Sequence, residues 1–186
     1  MKKIHILILS VLTFFIISSC RNNDFPEDIH EHEEIELIEL TVSEDNNPSN
    51  SQLIKIVGGV ATPELKLENG KSYNVGVDFL VKHEDHYHSA LDEIEEEKEE
   101  HFLLYQFTGI DAKIVRSDDD ITRQDGTKIG IKTKWTISSA PSTEALVQIK
   151  LNHGASTVSM NVPSVDNQLG EVSGGESDVD VKIHIK

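Results

Sequence analysis

The stretch that decides the fold is Ser72-Tyr73-Asn74-Val75-Gly76-Val77-Asp78-Phe79-Leu80-Val81. Large apolar residues occupy every second position from Tyr73 to Val81, and most of the positions between them are polar or small. Successive side chains of a strand point to opposite faces of its sheet, so this alternation predicts a strand with one buried face and one wet face. That pattern is typical of antiparallel sheets, because the strands of parallel sheets are buried on both sides.

Three later stretches alternate in the same way. Their predicted inward residues are Ile129, Ile131, Thr133, Trp135 and Ile137, then Ala145, Val147, Ile149 and Leu151, and finally Val179, Val181, Ile183 and Ile185. Together with shorter apolar runs between turn residues, the candidate strands are Glu34–Val42, Gln52–Val57, Leu65–Leu67, Ser72–Val81, Phe102–Phe107, Ala112–Arg116, Lys128–Ile137, Glu144–Asn152 and Asp178–Ile185.

These strands lack the regular alternation with helices that a parallel α/β fold needs. The sequence therefore predicts a mainly β domain, an antiparallel two-sheet sandwich of immunoglobulin-like type, with a small β-barrel as the alternative. One segment, 89–101, is rich in helix-forming residues, and Ser89 stands where an N-cap would be. We predict a short acidic helix there, and a disordered loop is the alternative because blocks of like charge repel one another.

The net charge and the cysteine content exclude some classes of function. The 186 residues include 17 Lys and Arg against 33 Asp and Glu, a net charge of −16. A surface of that sign repels phosphate, so nucleic acid is an unfavourable partner. The only cysteine is Cys20, so an exported chain has no disulfide to form.

The first twenty residues have the pattern that predicts a secretion signal. Lys2 and Lys3 precede an apolar run from Ile4 to Ile17, which small residues follow up to Cys20. The run is too short to span a bilayer comfortably, although a retained anchor and an ordinary secretory peptide are the alternatives. We predict residues 1–19 as the signal peptide, 20–33 as an acidic flexible tether and 34–186 as a single β-sandwich domain.

The ending Ile17-Ser18-Ser19-Cys20 resembles the bacterial lipobox, which implies lipidation of Cys20 with acyl chains such as palmitate. The rest of the chain resembles small outer-membrane lipoproteins of Bacteroidota type. The features that carry this resemblance are Glu99-Glu100-His101-Phe102, Gly130-Ile131-Lys132-Thr133-Lys134-Trp135, Leu151-Asn152-His153 and Gly174-Gly175-Glu176-Ser177-Asp178. It implies a lipid-anchored protein on the periplasmic or cell-surface face of the outer membrane, and an accessory of a TonB-dependent receptor or another envelope protein.

Histidine beside carboxylate is the chemical feature of this sequence. The candidate metal ligands are His83, His86, His88, His101, Glu97, Glu100 and His153, with His30 and His32 in the tether as weaker candidates. Imidazole and carboxylate suit divalent transition metals such as zinc or copper. If the helix folds over the end of the Ser72–Val81 strand, His101 approaches the His83–His88 loop. The alternative is a solvated His-rich and Glu-rich surface that binds metal weakly.

The sequence gives little support to catalytic motifs or to a calcium-binding loop. The sequence has no nucleophile elbow, no phosphate-binding loop and no Rossmann fingerprint, so we predict no enzyme, with a catalytic metal site as the third hypothesis. The run Asp118-Asp119-Asp120 lacks the glycine and glutamate that an EF-hand loop needs, and a hairpin turn at Asp125-Gly126 explains it better. We predict a metal-binding envelope lipoprotein, and the alternative is a metal-independent protein-interaction module.

Overall fold

The structure is a computed structural model and describes residues 34–186, which lie within one compact unit. The signal peptide, Cys20 and the tether histidines His30 and His32 lie outside the described residues.

The described residues form fourteen strands and one helix. The strands are β1 (Ile35–Glu44), β2 (Asn47–Val57), β3 (Val60–Thr62), β4 (Ser72–His83), β5 (His86–Ser89), β6 (His101–Thr108), β7 (Ala112–Arg116), β8 (Lys132–Ile137), β9 (Leu146–His153), β10 (Thr157–Ser159), β11 (Pro163–Ser164), β12 (Asn167–Gln168), β13 (Glu171–Ser173) and β14 (Glu176–His184), and the helix is α1 (Leu91–Glu96).

Two main sheets pack face to face around one apolar core. The larger sheet has the order β3-β2-β1-β4-β8-β7, with β5 added to the free part of β4, and the smaller has the order β14-β9-β6. All pairings within these two sheets are antiparallel. The sheets stay open, so the predicted mainly β sandwich with one short helix is confirmed and the closed barrel is not formed.

The inward faces follow the sequence pattern. The predicted inward residues of β4 and β8 are buried, and Trp135 is fully enclosed. Those of β9 and β14 are buried as well, apart from the half-buried Val181. Alternation along each strand therefore places one face of each sheet in the common core, as an antiparallel sandwich requires.

Several boundaries differ from the sequence prediction. Strand β8 begins at Lys132 rather than Lys128, because Gly130 takes a φ of +100° and the Asp120 carboxylate accepts the N–H groups of Gly130 and Lys132. In the predicted strand Leu65–Leu67, both leucines are buried, but the stretch forms only an isolated parallel bridge, between Leu65 and Ile185. The short strands β3, β5 and β10 to β13 are not predicted, since their two to four residues are too few to show alternation.

The helix is shorter than predicted. Ser89 belongs to β5 and donates its hydroxyl to Asp78, so Ala90 rather than Ser89 is the N-cap. The helix ends at Glu96, and a turn closed by the Glu100 N–H and the Glu97 carbonyl leads into β6. This turn places His101 at the first position of a strand instead of at the end of a helix.

A buried arginine joins the two sheets. Arg116, at the end of β7, is 2% exposed, and its guanidinium donates to the carbonyls of Lys128 and Leu103 at 2.8 and 2.7 Å. The group also lies 4.2 Å from the centre of the Phe102 ring. Burial lowers the pKa of Arg116 to about 10, so it remains charged at neutral pH.

Candidate metal centre

His101 and His153 meet at one end of the smaller sheet. They are directly paired between β6 and β9, although 51 residues separate them in the chain. Each continues the inward face of its strand beyond Leu103 and Leu151, so both rings lie at the rim of the core. The ring centroids are 4.9 Å apart, with the planes inclined by 29°.

The turn after α1 brings a carboxylate to the two rings. Glu97 is the C-cap residue of α1, four positions before His101. One potential ligand atom from each of Glu97, His101 and His153 lies within 4.8 Å of the others, and this is the one such group of three or more among residues 34–186. His101 is 4% exposed, while Glu97 and His153 are partly buried.

The tautomer of His101 is set by the backbone. Its Nδ1 lies 3.2 Å from the Glu97 carbonyl oxygen, which can only accept a hydrogen bond. Nδ1 therefore carries the proton and donates it to that carbonyl, which leaves the Nε2 lone pair available. A backbone carbonyl that holds the other ring nitrogen is the usual support of a metal-binding histidine.

Two further carboxylates surround the pair of rings. Glu100 Oε2 lies 2.9 Å from His153 Nε2, and Asp178 Oδ2 lies 3.8 Å from His101 Nε2. Two imidazoles thus have three carboxylates beside them, which gives the group a net negative charge when both rings are neutral. A divalent cation would compensate that charge.

Burial favours the neutral form of His101. Its pKa is lowered, chiefly because removal from water penalises the charged ring, and the nearby His153 acts in the same direction. The Glu97 carbonyl and the Asp178 carboxylate oppose this effect. Neutral imidazole is the form that binds metal, so the environment holds His101 ready as a ligand at neutral pH.

The spacing of the rings suits one shared ion. If two histidine nitrogens each lie about 2.0 Å from an ion, their ring centroids are about 4.4 to 6.3 Å apart, depending on the angle at the ion. The observed 4.9 Å lies within this range. Neighbouring ligand atoms of such an ion are about 3.3 Å apart. The potential ligand atoms of the three residues now lie within 4.8 Å of one another, so small side-chain rotations would bring them to that spacing.

The structure separates the other predicted ligands from this group. His83, His86 and His88 lie on the β4–β5 hairpin, where all three are exposed. Among residues 34–186, none of them joins the cluster of Glu97, His101 and His153. The two-residue turn at Glu84 and Asp85 folds β5 straight back onto β4 in the larger sheet, whereas His101 begins a strand of the smaller sheet.

One carboxylate of the group, Asp178, is not among the ligands that the sequence predicts. The predicted strand Asp178–Ile185 begins at this residue, and alternation with Val179 would turn its side chain away from the core. The register of β14 against β9 shifts between Ser177 and Val179, and this bulge leaves Asp178 without a paired residue. A bulge reverses the alternation locally, and no residue pattern in this stretch predicts it.

The acidic run 118–120 has partners of its own. Lys128 binds Asp118 and Lys132 binds Asp119, each at 2.9 Å, while Asp120 accepts backbone N–H groups. The chain after this run turns through Asp125 and Gly126 and forms an antiparallel bridge between residues 122 and 128. These contacts are those of a hairpin turn stabilised by lysines.

The chain has no match among protein-family models, curated proteins or solved structures. Within residues 34–186, the single helix is far too short to cross a membrane.

Proposed function

We propose that this protein is a lipid-anchored envelope protein that captures a divalent transition metal ion, zinc or copper, at the centre formed by Glu97, His101 and His153. The observation that carries the proposal is the direct pairing of His101 with His153 beside Glu97. The lipobox-like ending at Cys20 supports attachment to the outer membrane.

The chemistry of the group favours capture over a purely structural role. Two imidazoles and one carboxylate leave a fourth coordination position open to water or to an exchanging ligand. The side chain of His153 is 20% exposed and that of Glu100 is 59% exposed, so an ion can reach the rim from solvent. A carboxylate that contacts His153 would orient its ring, as supporting groups do in known metal sites.

The proposed role of the protein is to release the captured ion to another envelope protein. A protein held at the outer membrane can pass captured metal to a neighbouring transporter, which agrees with the resemblance to accessories of TonB-dependent receptors. The open coordination position provides the point at which an acceptor ligand would enter.

Isothermal titration of residues 22–186 with Zn²⁺ and Cu²⁺ tests the proposal. Loss of a group that only supports a ligand costs about 10- to 100-fold in metal affinity, so His101→Gln/His153→Gln should cost more than about 100-fold. The matched control is His184→Gln, which removes an exposed histidine from the same sheet.

Glu97→Gln adds a milder variant of nearly the same shape, and it should weaken binding without loss of folding by circular dichroism. If the wild type binds neither ion more tightly than the folded His101→Gln/His153→Gln variant, the proposed centre is refuted.

An apolar patch favours a second candidate, a protein-interaction module. Val57 and Val60 are paired on the outer side of β2 and β3 and are 53% and 67% exposed, and Leu53 on the same strand is 46% exposed. Val57→Ser/Val60→Ser should abolish a stoichiometric crosslink to an envelope protein if that patch is the contact. A crosslink that instead disappears in His101→Gln/His153→Gln would attribute the partner to the metal centre.

A further inference from the structure

The β4–β5 hairpin holds three histidines on one face. His83 is paired with His86 across the two-residue turn, and His88 follows two positions later on β5, paired with Val81. Paired residues of antiparallel strands share a face, and so do residues two apart in one strand. The register therefore directs all three rings to the same side of the hairpin.

His83 and His88 are close enough to share an ion, and His86 lies nearby. The centroids of His83 and His88 are 5.1 Å apart, and those of His83 and His86 are 6.4 Å apart. Two rings on one ion are separated by about 4.4 to 6.3 Å, so the first distance lies within this range and the second lies just beyond it. The potential ligand atoms of the three residues are not all within 4.8 Å of one another, so the exposed His86 ring has to rotate towards the other two for a shared ion to bind.

The hairpin also reduces the entropy lost on binding. Its turn spans only Glu84 and Asp85, and Glu84 takes a φ of +52°. The three potential ligands therefore lie within six consecutive residues, 83–88. Backbone pairing has already fixed their spacing before an ion arrives.

We infer that His83, His86 and His88 form a second, exposed metal site that prefers Cu²⁺ to Zn²⁺. Nitrogen ligands bind Cu²⁺ more strongly than Zn²⁺ in the general order of divalent metals. All three rings are exposed, so this site exchanges its ion readily with solvent. It belongs to the larger sheet, and the inference stands independently of the centre at His101.

Copper titration of residues 22–186 tests the site by stoichiometry. All variants carry His30→Gln/His32→Gln, so that the tether histidines do not contribute. We expect two bound copper ions in this background, one ion in His83→Gln/His86→Gln/His88→Gln and one in His101→Gln/His153→Gln, each folded by circular dichroism. The matched control is Lys82→Gln/Tyr87→Gln, which changes the paired residues on the opposite face of the same hairpin and should keep both ions.

The electron paramagnetic resonance spectrum of bound Cu²⁺ identifies the ligands. In the His101→Gln/His153→Gln variant, the remaining copper should show nitrogen hyperfine splitting, and His86→Gln should reduce it. Unchanged copper stoichiometry after loss of the three hairpin histidines overturns this inference. Loss of copper only with these three histidines supports the hairpin site and counts against the centre at His101, so the two failures are distinguishable.

Discussion

Gly170→Ala should break the connection that Arg116 makes between the two sheets. A Cβ at position 170 would lie 2.6 Å from Arg116 Nη2, 2.9 Å from Phe102 Cε1 and 3.2 Å from the Leu103 carbonyl oxygen. The first of these atoms donates the hydrogen bond to Leu103, so the guanidinium must leave that carbonyl to admit the methyl group.

The expected cost has two parts. An L-residue at the positive φ of Gly170, +90°, costs about 1–2 kcal/mol. Loss of a hydrogen bond from a charged group adds about 1.5–3 kcal/mol. Gly170→Ala should therefore lower the free energy of unfolding by about 2.5–5 kcal/mol. Gly70→Ala is the control that should show only the conformational cost, because Gly70 has a φ of +81° and no atom lies within 4 Å of the added Cβ.

Urea denaturation of residues 22–186, followed by Trp135 fluorescence, measures both variants. The difference between Gly170→Ala and Gly70→Ala measures the contacts with Arg116, Phe102 and Leu103 together. A cycle with Arg116→Met separates the Arg116 part, since the extra cost of Gly170→Ala over Gly70→Ala should then become smaller. Equal destabilisation by the two glycine variants in the wild-type background would refute the reasoning.

Three further predictions concern pH and the buried acid. Burial lowers the pKa of folded His101 below its unfolded value of about 6.5, so the unfolded state takes up the proton first and the metal-free protein should lose stability as pH falls below 6.5. Thermal unfolding between pH 7.5 and 5.5 should show this slope in the wild type and a smaller one in His101→Gln; equal slopes would contradict it. Metal affinity should weaken from about pH 7 towards 5, because protonated imidazole does not bind metal, and a flat titration over that range would assign the ion to carboxylates alone. Asp120→Asn should lower the free energy of unfolding, measured by urea denaturation, by about 1–3 kcal/mol. The reason is that the amide turns an N–H donor towards the N–H of Gly130 or Lys132. An unchanged free energy of unfolding would show that these hydrogen bonds contribute little.

The sequence predicted the parts of the fold that depend on local alternation. Residues of β4 such as Val75, Val77 and Phe79 alternate with polar or small neighbours, and the structure buries them. Alternation predicts burial because the two faces of a strand meet different surroundings, so the polarity of each side chain indicates the face on which it lies. By the same alternation, His153 lies on the inward face of β9 two residues after Leu151.

The candidate centre was predictable in its members but not in its grouping. Glu97, Glu100, His101 and His153 were all candidate ligands, and the structure brings them together. Sequence proximity also suggested that His101 approaches the hairpin histidines, which the structure places elsewhere. Proximity misled here because a tight turn folds β5 back onto its own sheet before the chain crosses to the other.

Length, charge, the lipobox-like ending and the alternation of apolar residues are properties of the sequence by itself, and they determined the fold class and the list of candidate ligands. Tertiary structure decided which ligands meet. The pairing of β6 with β9 joins His101 to His153, a bulge in β14 turns Asp178 towards them, and Arg116 is buried between the sheets. The physical reason is that strand register and bulges depend on the packing of distant segments, which a residue pattern read along one segment does not contain.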